Sequence, residues 1–315
     1  MKCPYCGYES ENIDNFTEDF INHKGFWCPK CDGFLMNEMN HQYILYKEDK
    51  NTVLEVNKTN IKKQVSPLRY PGGKSRMIDF LFPVIKKKEV LVEPFAGGAS
   101  VSLALLMAGE VDSIVLNDID FGWYSLFFRI LYDTEALCEE IMSYEPHKED
   151  YKSKQYYMLH GYPGKDMEKA SIAFLVINRC AFSGIPFASY KTNINERWNP
   201  ETLCKRIRQI ALYKDRITVL NKQATEVIEK YYWNEHATLF IDPPYIGKGD
   251  ILYVNKYTKK NHKELSELLE KLCMEFPCAD VIITYDDDAL LNDLYHIANV
   301  EKVGTRYSLL NKRGD

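Results

Sequence analysis

The sequence predicts an α/β protein, with a mostly parallel sheet carrying helices on both faces. Three observations lead there. From Ser66 onward, short apolar runs of strand length alternate with longer helix-like stretches, the rhythm of strands joined by helical crossovers. Several of those runs end in a carboxylate or a glycine turn, as strands do at the ligand-binding edge of an open sheet. And 315 residues with 45% hydrophobic content suffice for one large domain of this kind with small appendages.

Taken in order, residues 1–35 read as a separate small module. Cys3-Pro4-Tyr5-Cys6 and Cys28-Pro29-Lys30-Cys31 are two C-x-x-C pairs. Four thiolates in two close pairs fit a tetrahedral zinc ion, and so short a segment has too little core to fold without one. Four ligands leave no open position, so Cys3, Cys6, Cys28 and Cys31 predict a structural zinc, and His23 is not needed. Residues 36–65 are polar and read as a connector, with a strand at Tyr43–Tyr46. Val90–Val92 is a strand that runs into the turn Phe95-Ala96-Gly97-Gly98-Ala99-Ser100 and then a helix to Ala108. Ser113–Leu116 is the next strand and ends at Asn117-Asp118. Helices follow at 121–132, 134–143 and 167–180, then a turn-rich stretch at 183–199 and a helix over Leu203–Leu212. Strands Ile217–Leu220 and Leu239–Ile241 flank a helix at Thr225–Tyr232. A polar loop at 246–260, a helix at 261–274 and a strand at Val281–Thr284 complete the pattern.

Composition narrows the function. No stretch of 18 residues is apolar and uncharged, so no membrane span is expected. The N-terminus has no signal-peptide pattern, which points to the cell interior, and nine cysteines there suggest thiols or metal rather than disulfides. A net charge of −5 does not itself imply a nucleic-acid partner. Basic residues nevertheless cluster at Lys205–Arg208, Lys214 and Arg216, and again at Lys248, Lys256, Lys259, Lys260, His262 and Lys263. Either cluster is a solvated face or a track for a phosphate backbone.

The chemistry is concentrated at three strand ends. Asp242-Pro243-Pro244-Tyr245 follows the apolar run 237–241. Proline has no N–H, so this corner leaves carbonyls free to accept hydrogen bonds. A carboxylate and a free carbonyl beside an aromatic ring suit a planar group bearing an NH2, such as a nucleobase; a strand-ending turn is the plainer alternative. Gly97 and Gly98 let the backbone approach a ligand at a helix N-terminus, although G-x-G-x-x-G is not satisfied. Asp118 is placed either to accept from ribose hydroxyls or to cap the next helix. Upstream, Arg69-Tyr70-Pro71-Gly72-Gly73-Lys74 is an ordinary turn or a clasp for a charged small molecule; Leu68 excludes a P-loop.

Tyr70-Pro71-Gly72-Gly73-Lys74, Glu93–Gly98, Asn117-Asp118 and Asp242–Tyr245, in this order over roughly residues 66–311, resemble the Dam-type, α-group N6-adenine DNA methyltransferases. The resemblance implies a Rossmann-like, S-adenosylmethionine-dependent sheet with catalytic parts at 66–120 and 217–315. A target-recognition region would be inserted at 121–216, where Asn178–Gly184 looks like the start of the recognition segment. Tyr70, Gly72, Gly73, Lys74, Phe95, Gly97, Gly98, Asp118 and Asp242 would form the cofactor pocket. Tyr70 would cover the cofactor adenine, and Asp118 would bind the ribose. Asp242 and the Pro243 carbonyl would accept from the target amine, with Pro244 shaping the corner and Tyr245 stacking on the base. Because the amine of a stacked base is out of reach, the resemblance also implies base flipping. Lys191, Arg197, Lys248, Lys256, Lys259 and Lys260 would contact double-stranded DNA. It further implies a cytoplasmic, bacterial or phage-encoded monomer, with a cognate restriction endonuclease as one partner it leaves open. Asn261-His262 and Leu265 resemble the helix after the catalytic loop, and Val281–Tyr285 the next strand. Cys180, Cys204, Cys273 and Cys278 are expected to be buried structural thiols.

Three departures bound the carry-over. The family's glycine turn often reads Phe-x-Gly-x-Gly; here Phe95-Ala96-Gly97-Gly98-Ala99 keeps two glycines, so the pocket is expected to survive. The stretch Phe182–Tyr190 does not look like the hairpin of GATC-specific members, so that specificity is not carried over. The family has a further apolar strand in a terminal hairpin. Here the sequence closes at Lys312-Arg313-Gly314-Asp315, which suggests a shortened chain or a sheet edge exposed near Tyr307–Leu310. Other readings remain open at this point. The same acceptors suit cytosine N4 or adenine in RNA, and an inactive zinc-ribbon nucleic-acid-binding protein would share many of these features.

Overall fold

The computed structural model describes residues 59–70, 73–86, 88–181, 184–190, 194, 198–246, 254–255, 257–275, 278–286 and 288–296, with only the backbone at 275, 286, 289 and 292. It also describes the backbone of strands 17–18, 25–27, 34–36, 40–46 and 299–305. β1 (Thr17–Glu18), β2 (Gly25–Trp27) and β3 (Phe34–Met36) form a small antiparallel sheet. Cys3, Cys6, Cys28 and Cys31 lie outside the described residues.

β4 (Asn40–Tyr46) belongs to the main sheet. A helical stretch then runs through a 3-10 turn (Lys74–Met77), α1 (Ile78–Leu81) and a second 3-10 turn (Phe82–Val84). β5 (Val90–Glu93), α2 (Ser100–Met107) and β6 (Ser113–Asn117) follow. Five helices come next: α3 (Phe121–Tyr132), α4 (Thr134–Ser143), α5 (Lys148–Leu159), α6 (Met167–Cys180) and α7 (Pro200–Ala211). β7 (Ile217–Leu220), α8 (Ala224–Tyr232), β8 (Ala237–Ile241), α9 (Lys259–Glu275), β9 (Asp280–Asp286) and β10 (Asn299–Thr305) complete the order.

The seven-stranded sheet runs β10-β4-β9-β8-β5-β6-β7. Five neighbouring strands, β9 to β7, are parallel; β4 is antiparallel to both β9 and β10. Two expectations change here. Residues 36–65 are not only a connector: the strand expected at Tyr43–Tyr46 begins at Asn40 and is hydrogen-bonded on both sides. The antiparallel place between β9 and β10 is thereby filled from the N-terminal side of the chain, not by a strand after Leu310. Residues 306–315 lie outside the described residues.

The inner parallel strands are buried on both faces, which is why they read as apolar runs; all five residues of β8 are buried, whereas the edge strand β7 is buried only at Ile217. Alternate side chains divide between two cores. Leu91, Ile114, Leu116, Phe240 and Ile282 face the larger core with α2, α3, α6 and α7. Val92, Val115, Leu239, Ile241, Val281 and Ile283 face the other with α8 and α9. Each such aliphatic side chain contributes about 1.5–3 kcal/mol on full burial. Helix starts follow local chemistry. Asp120, Asp166 and Asn199 accept from the backbone N–H of Trp123, Lys169 and Thr202, capping α3, α6 and α7. α5 was not anticipated; it is a largely polar helix that buries Tyr151, Tyr157 and Met158.

The chain leaves β5 toward β6 and β7, then returns to the other side of β5 as β8 and β9. The switch point therefore lies between the carboxyl ends of β5 and β8, where an open sheet binds its ligands. Among the described residues, no helix is long and apolar enough to cross a membrane.

Candidate active site

A cavity of about 520 Å³ opens at that switch point. Its first wall is the glycine turn after β5. Gly97 has φ +46°, and a Cβ there would come within 2.9 Å of the Tyr70 ring; a Cβ on Gly98 would meet Tyr70 Cβ at 3.2 Å. The two glycines thus admit the Tyr70 ring against the turn, and Tyr70 becomes part of the cavity wall. Gly73 N–H closes the upstream turn onto the Tyr70 carbonyl at 3.1 Å. Asn178, at the end of α6, donates to the Arg69 carbonyl and accepts the Arg69 N–H, both at 2.8 Å. This amide clamps the strap that carries Tyr70.

The second wall is the end of β6. Asp118 accepts from Gly97 N at 3.3 Å and from Asp120 N at 3.0 Å. Of its two sequence readings, the helix cap falls to Asp120, which holds Trp123 N and also accepts from the Tyr162 hydroxyl. Burial, then the neighbouring Asp120, raises the Asp118 carboxyl to about 7. Asn117, which carried no assigned role, ties three strand ends together. It donates to the Pro94 and Lys222 carbonyls and accepts the Lys222 N–H, at 2.9, 3.0 and 2.9 Å. Lys222, Gln223, Ala224 and Thr225, after β7, also line the cavity and escaped sequence reasoning.

The third wall is the end of β8. Asp242 is half-buried, whereas the Lys74 side chain is only 2% exposed; its Nζ lies 2.6 Å and 2.8 Å from the two Asp242 oxygens. That ammonium also sits 5.2 Å from the Tyr245 ring centre, a cation–π distance. Thr284 on β9 donates its hydroxyl to Asp242 Oδ1 at 2.7 Å. Glu93, at the end of β5, is buried and accepts from Ser102 N and Oγ at 2.9 and 2.6 Å. Burial raises its carboxyl to about 7. Glu93, Lys74 and Asp242 all line the same cavity.

Tyr70, Gly73, Lys74, Phe95, Gly97, Gly98, Asp118, Asp242 and Pro244 are thus brought together around one cavity. Pro243 is buried within the corner, and Tyr245 lies beside Lys74. Pro71, Gly72, Lys191, Arg197, Lys248 and Lys256 lie outside the described residues. Lys259 and Lys260 are exposed on the first turn of α9 and line no part of the cavity. His262 departs from the basic cluster in which it was counted. It is fully buried against Tyr285, and burial lowers its pKa to about 4, so it is neutral near pH 7. In the other cluster, Arg206 donates to the Ser66 carbonyl, Arg208 pairs with Glu135 and Arg216 donates to the Val111 carbonyl. Those arginines serve the fold. Cys180 and Cys204 are buried, while Cys273 and Cys278 are partly exposed.

The doubly wound sheet, with its glycine turn, acidic β6 end and Asp242 corner at one switch point, fits the fold of an S-adenosylmethionine-dependent methyltransferase. The sequence profile of the D12 class N6 adenine-specific DNA methyltransferase family matches residues 70–309. The chain belongs to that family. It is 25% identical over 242 residues to the retron Ec67 DNA adenine methylase of Escherichia coli, covering 72% of this chain and 79% of that one. The DNA adenine methylase of Escherichia coli is 22% identical over 283 residues, covering 81% and 92%. The type II methyltransferase M.MjaIII of Methanocaldococcus jannaschii is 21% identical over 285 residues, covering 80% and 95%. The protein is an adenine-specific DNA methyltransferase.

Proposed function

We propose that this methyltransferase acts on an adenine flipped out of duplex DNA, with Asp242 and the Pro243 carbonyl as acceptors for its N6 amine. The observation that carries this is the Asp242 carboxylate. It opens into the cavity that the glycine turn and Asp118 also line, and Lys74 and Thr284 hold it.

The adenine amine is a poor nucleophile because its lone pair is delocalised into the ring. Acceptors on its hydrogens favour the pyramidal nitrogen of the transition state. A carboxylate offers about four lone-pair sites. Thr284 and Lys74 take at most three of these, leaving one for the amine. Tyr245 stacks on the target ring. The Lys74 ammonium contacts both Asp242 oxygens, and the carboxylate so held orients the amine rather than stripping a proton beforehand. Bound S-adenosylmethionine supplies an electrophilic methyl group on a sulfonium. Tyr70, Gly97 and Gly98 would hold it, with Asp118 at its ribose. Phe95 meets Tyr257 edge-on at 5.4 Å and helps exclude water from the cavity. Both halves of the site come from one chain, which supports action as a monomer.

The test is methyl incorporation into DNA from S-adenosylmethionine. N6-methyladenine is the expected product, and Asp242→Ala should lower transfer by about 10²–10³-fold or more. Methylcytosine as the product, label confined to RNA, or an active Asp242→Ala protein would overturn the reading. The four N-terminal cysteines suit zinc by their donor chemistry. Metal analysis of the purified protein should find one zinc per chain, lost in Cys28→Ser; a metal-free wild type would refute that assignment.

A further inference from the structure

We propose that Thr284 is a positioning residue for methyl transfer. Its hydroxyl fixes the Asp242 carboxylate so that the remaining acceptor position faces the target amine. This rests on Asp242 being the amine acceptor.

Two groups hold Asp242, and they differ in kind. Lys74 brings a charge on a flexible four-carbon stem and straddles both carboxylate oxygens, so it constrains their direction weakly. Thr284 brings one directed O–H to one oxygen, Oδ1, at 2.7 Å. Its β-branched side chain has few rotamers, and the residue is fully buried. Its strand is fixed from both sides. Ile282 and Ile283 of β9 pair with Phe240 and Ile241 of β8, just before Asp242, and Thr284 itself pairs with Ile44 of β4. The next residue, Tyr285, contacts His262 Nδ1 through its hydroxyl at 3.2 Å and so links the same strand to the head of α9. Lys74 therefore supplies the countercharge at Asp242, and Thr284 sets its orientation. In the sequence, a threonine inside Val281–Tyr285 reads as a β-branched strand former and nothing more.

Packing and positioning make opposite predictions for two substitutions. Thr284→Val keeps the shape and loses the hydroxyl; Thr284→Ser keeps the hydroxyl and loses a methyl. Positioning predicts that Val lowers kcat for methyl transfer by about 10–100-fold, as removal of one preorganised donor does. Calorimetric affinities for S-adenosylmethionine and for DNA should stay within about threefold of wild type. Ser should recover most of the rate despite its packing defect. On an Asp242→Ala background, Thr284→Val should add no further loss, because the hydroxyl acts only through that carboxylate. If Val does not fold, Thr284→Ala replaces it and must fall about tenfold or more below Ser. A Val or Ala variant with wild-type kcat, or a Ser variant as slow as Val, overturns the proposal. Wild-type kcat in Asp242→Ala would instead overturn the acceptor role of Asp242 itself.

Discussion

The two sides of the sheet are assembled from different kinds of chain. The proposed cofactor side is built on β5, β6 and β7 with their turns, one stretch between Val90 and Ala224, with Tyr70 laid over the glycine turn from the strap before α1. The amine side needs three separated stretches: β8 with its corner, β9 with β10, and β4 from the N-terminal end. Their electrostatics differ as well. Glu93 and Asp118 are carboxyls raised toward neutrality by burial, each held by N–H or O–H donors. Asp242 is held by an ammonium and a hydroxyl. The proposed cofactor side is thus a polar pocket built mostly from one stretch of chain. The proposed amine side is a charged group whose geometry depends on contacts distant in sequence. Lys74 joins the two sides across 168 positions.

The sharpest way to break this comparison is to damage β4, which lies outside the family match at 70–309. Ile44 pairs with Thr284 on one side and Glu301 on the other. Ile44→Pro removes ladder hydrogen bonds from a strand with neighbours on both sides. The expected cost is about 2–3 kcal/mol once local distortion is included. Thermal unfolding should show a midpoint lower by several degrees. Methyl transfer should fall more than S-adenosylmethionine affinity, since β4 pairs with the strand of Thr284, and β9 and β8 separate it from β5 in the sheet. Equal losses of rate and cofactor affinity would show that the two sides do not depend on β4 differently.

A smaller effect sharpens the electrostatic contrast. The Glu93 carboxyl has a folded pKa of about 7, above its ordinary 4.5. Between those values the folded chain holds a proton that the unfolded chain has released. The associated stability is fully present below about pH 4.5 and is lost as pH rises through about 7. Cofactor-free protein should therefore gain about 1 kcal/mol from Glu93 on going from pH 8 to pH 6, followed by denaturant titration. Glu93→Gln should remove that part of the slope, while Asp118, which titrates over the same range, keeps the rest. An unchanged slope in Glu93→Gln would refute the assignment.

The same contrast governs what the sequence disclosed. β5, β6 and β8 announce themselves because strands buried on both faces must be apolar throughout. The glycine turn and the acceptor corner are equally visible, since close backbone approach and a broken ladder each demand particular residues. β4 is legible only in its second half, Tyr43–Tyr46, and β10 is not legible. Asn40-His41-Gln42 opens β4 with polar residues, and both of its partner strands come from the far end of the chain. α5 was missed because its Lys- and Tyr-rich sequence shows no clean apolar stripe. Thr284 and the Lys74–Asp242 pair are products of folding, since no local pattern ties residues so far apart.

The smallest predicted effect concerns Lys260, outside the cavity on the exposed start of α9. It pairs with Glu264 at 3.4 Å, a solvent-exposed i,i+4 contact. Such contacts contribute little to stability, so Lys260→Ala should leave the unfolding midpoint unchanged. If Lys260 meets a phosphate, DNA affinity should fall severalfold at low salt, equally for all sequences, and the salt dependence should lose about one unit of slope. Its first-order rate on saturating DNA should not move, because the residue reaches neither the Asp242 corner nor the glycine turn. An unaltered salt slope would place Lys260 off the DNA path. A lowered saturated rate would mean that the head of α9 takes part in the amine side directly, and the boundary drawn here between binding and orientation would then have to move outward.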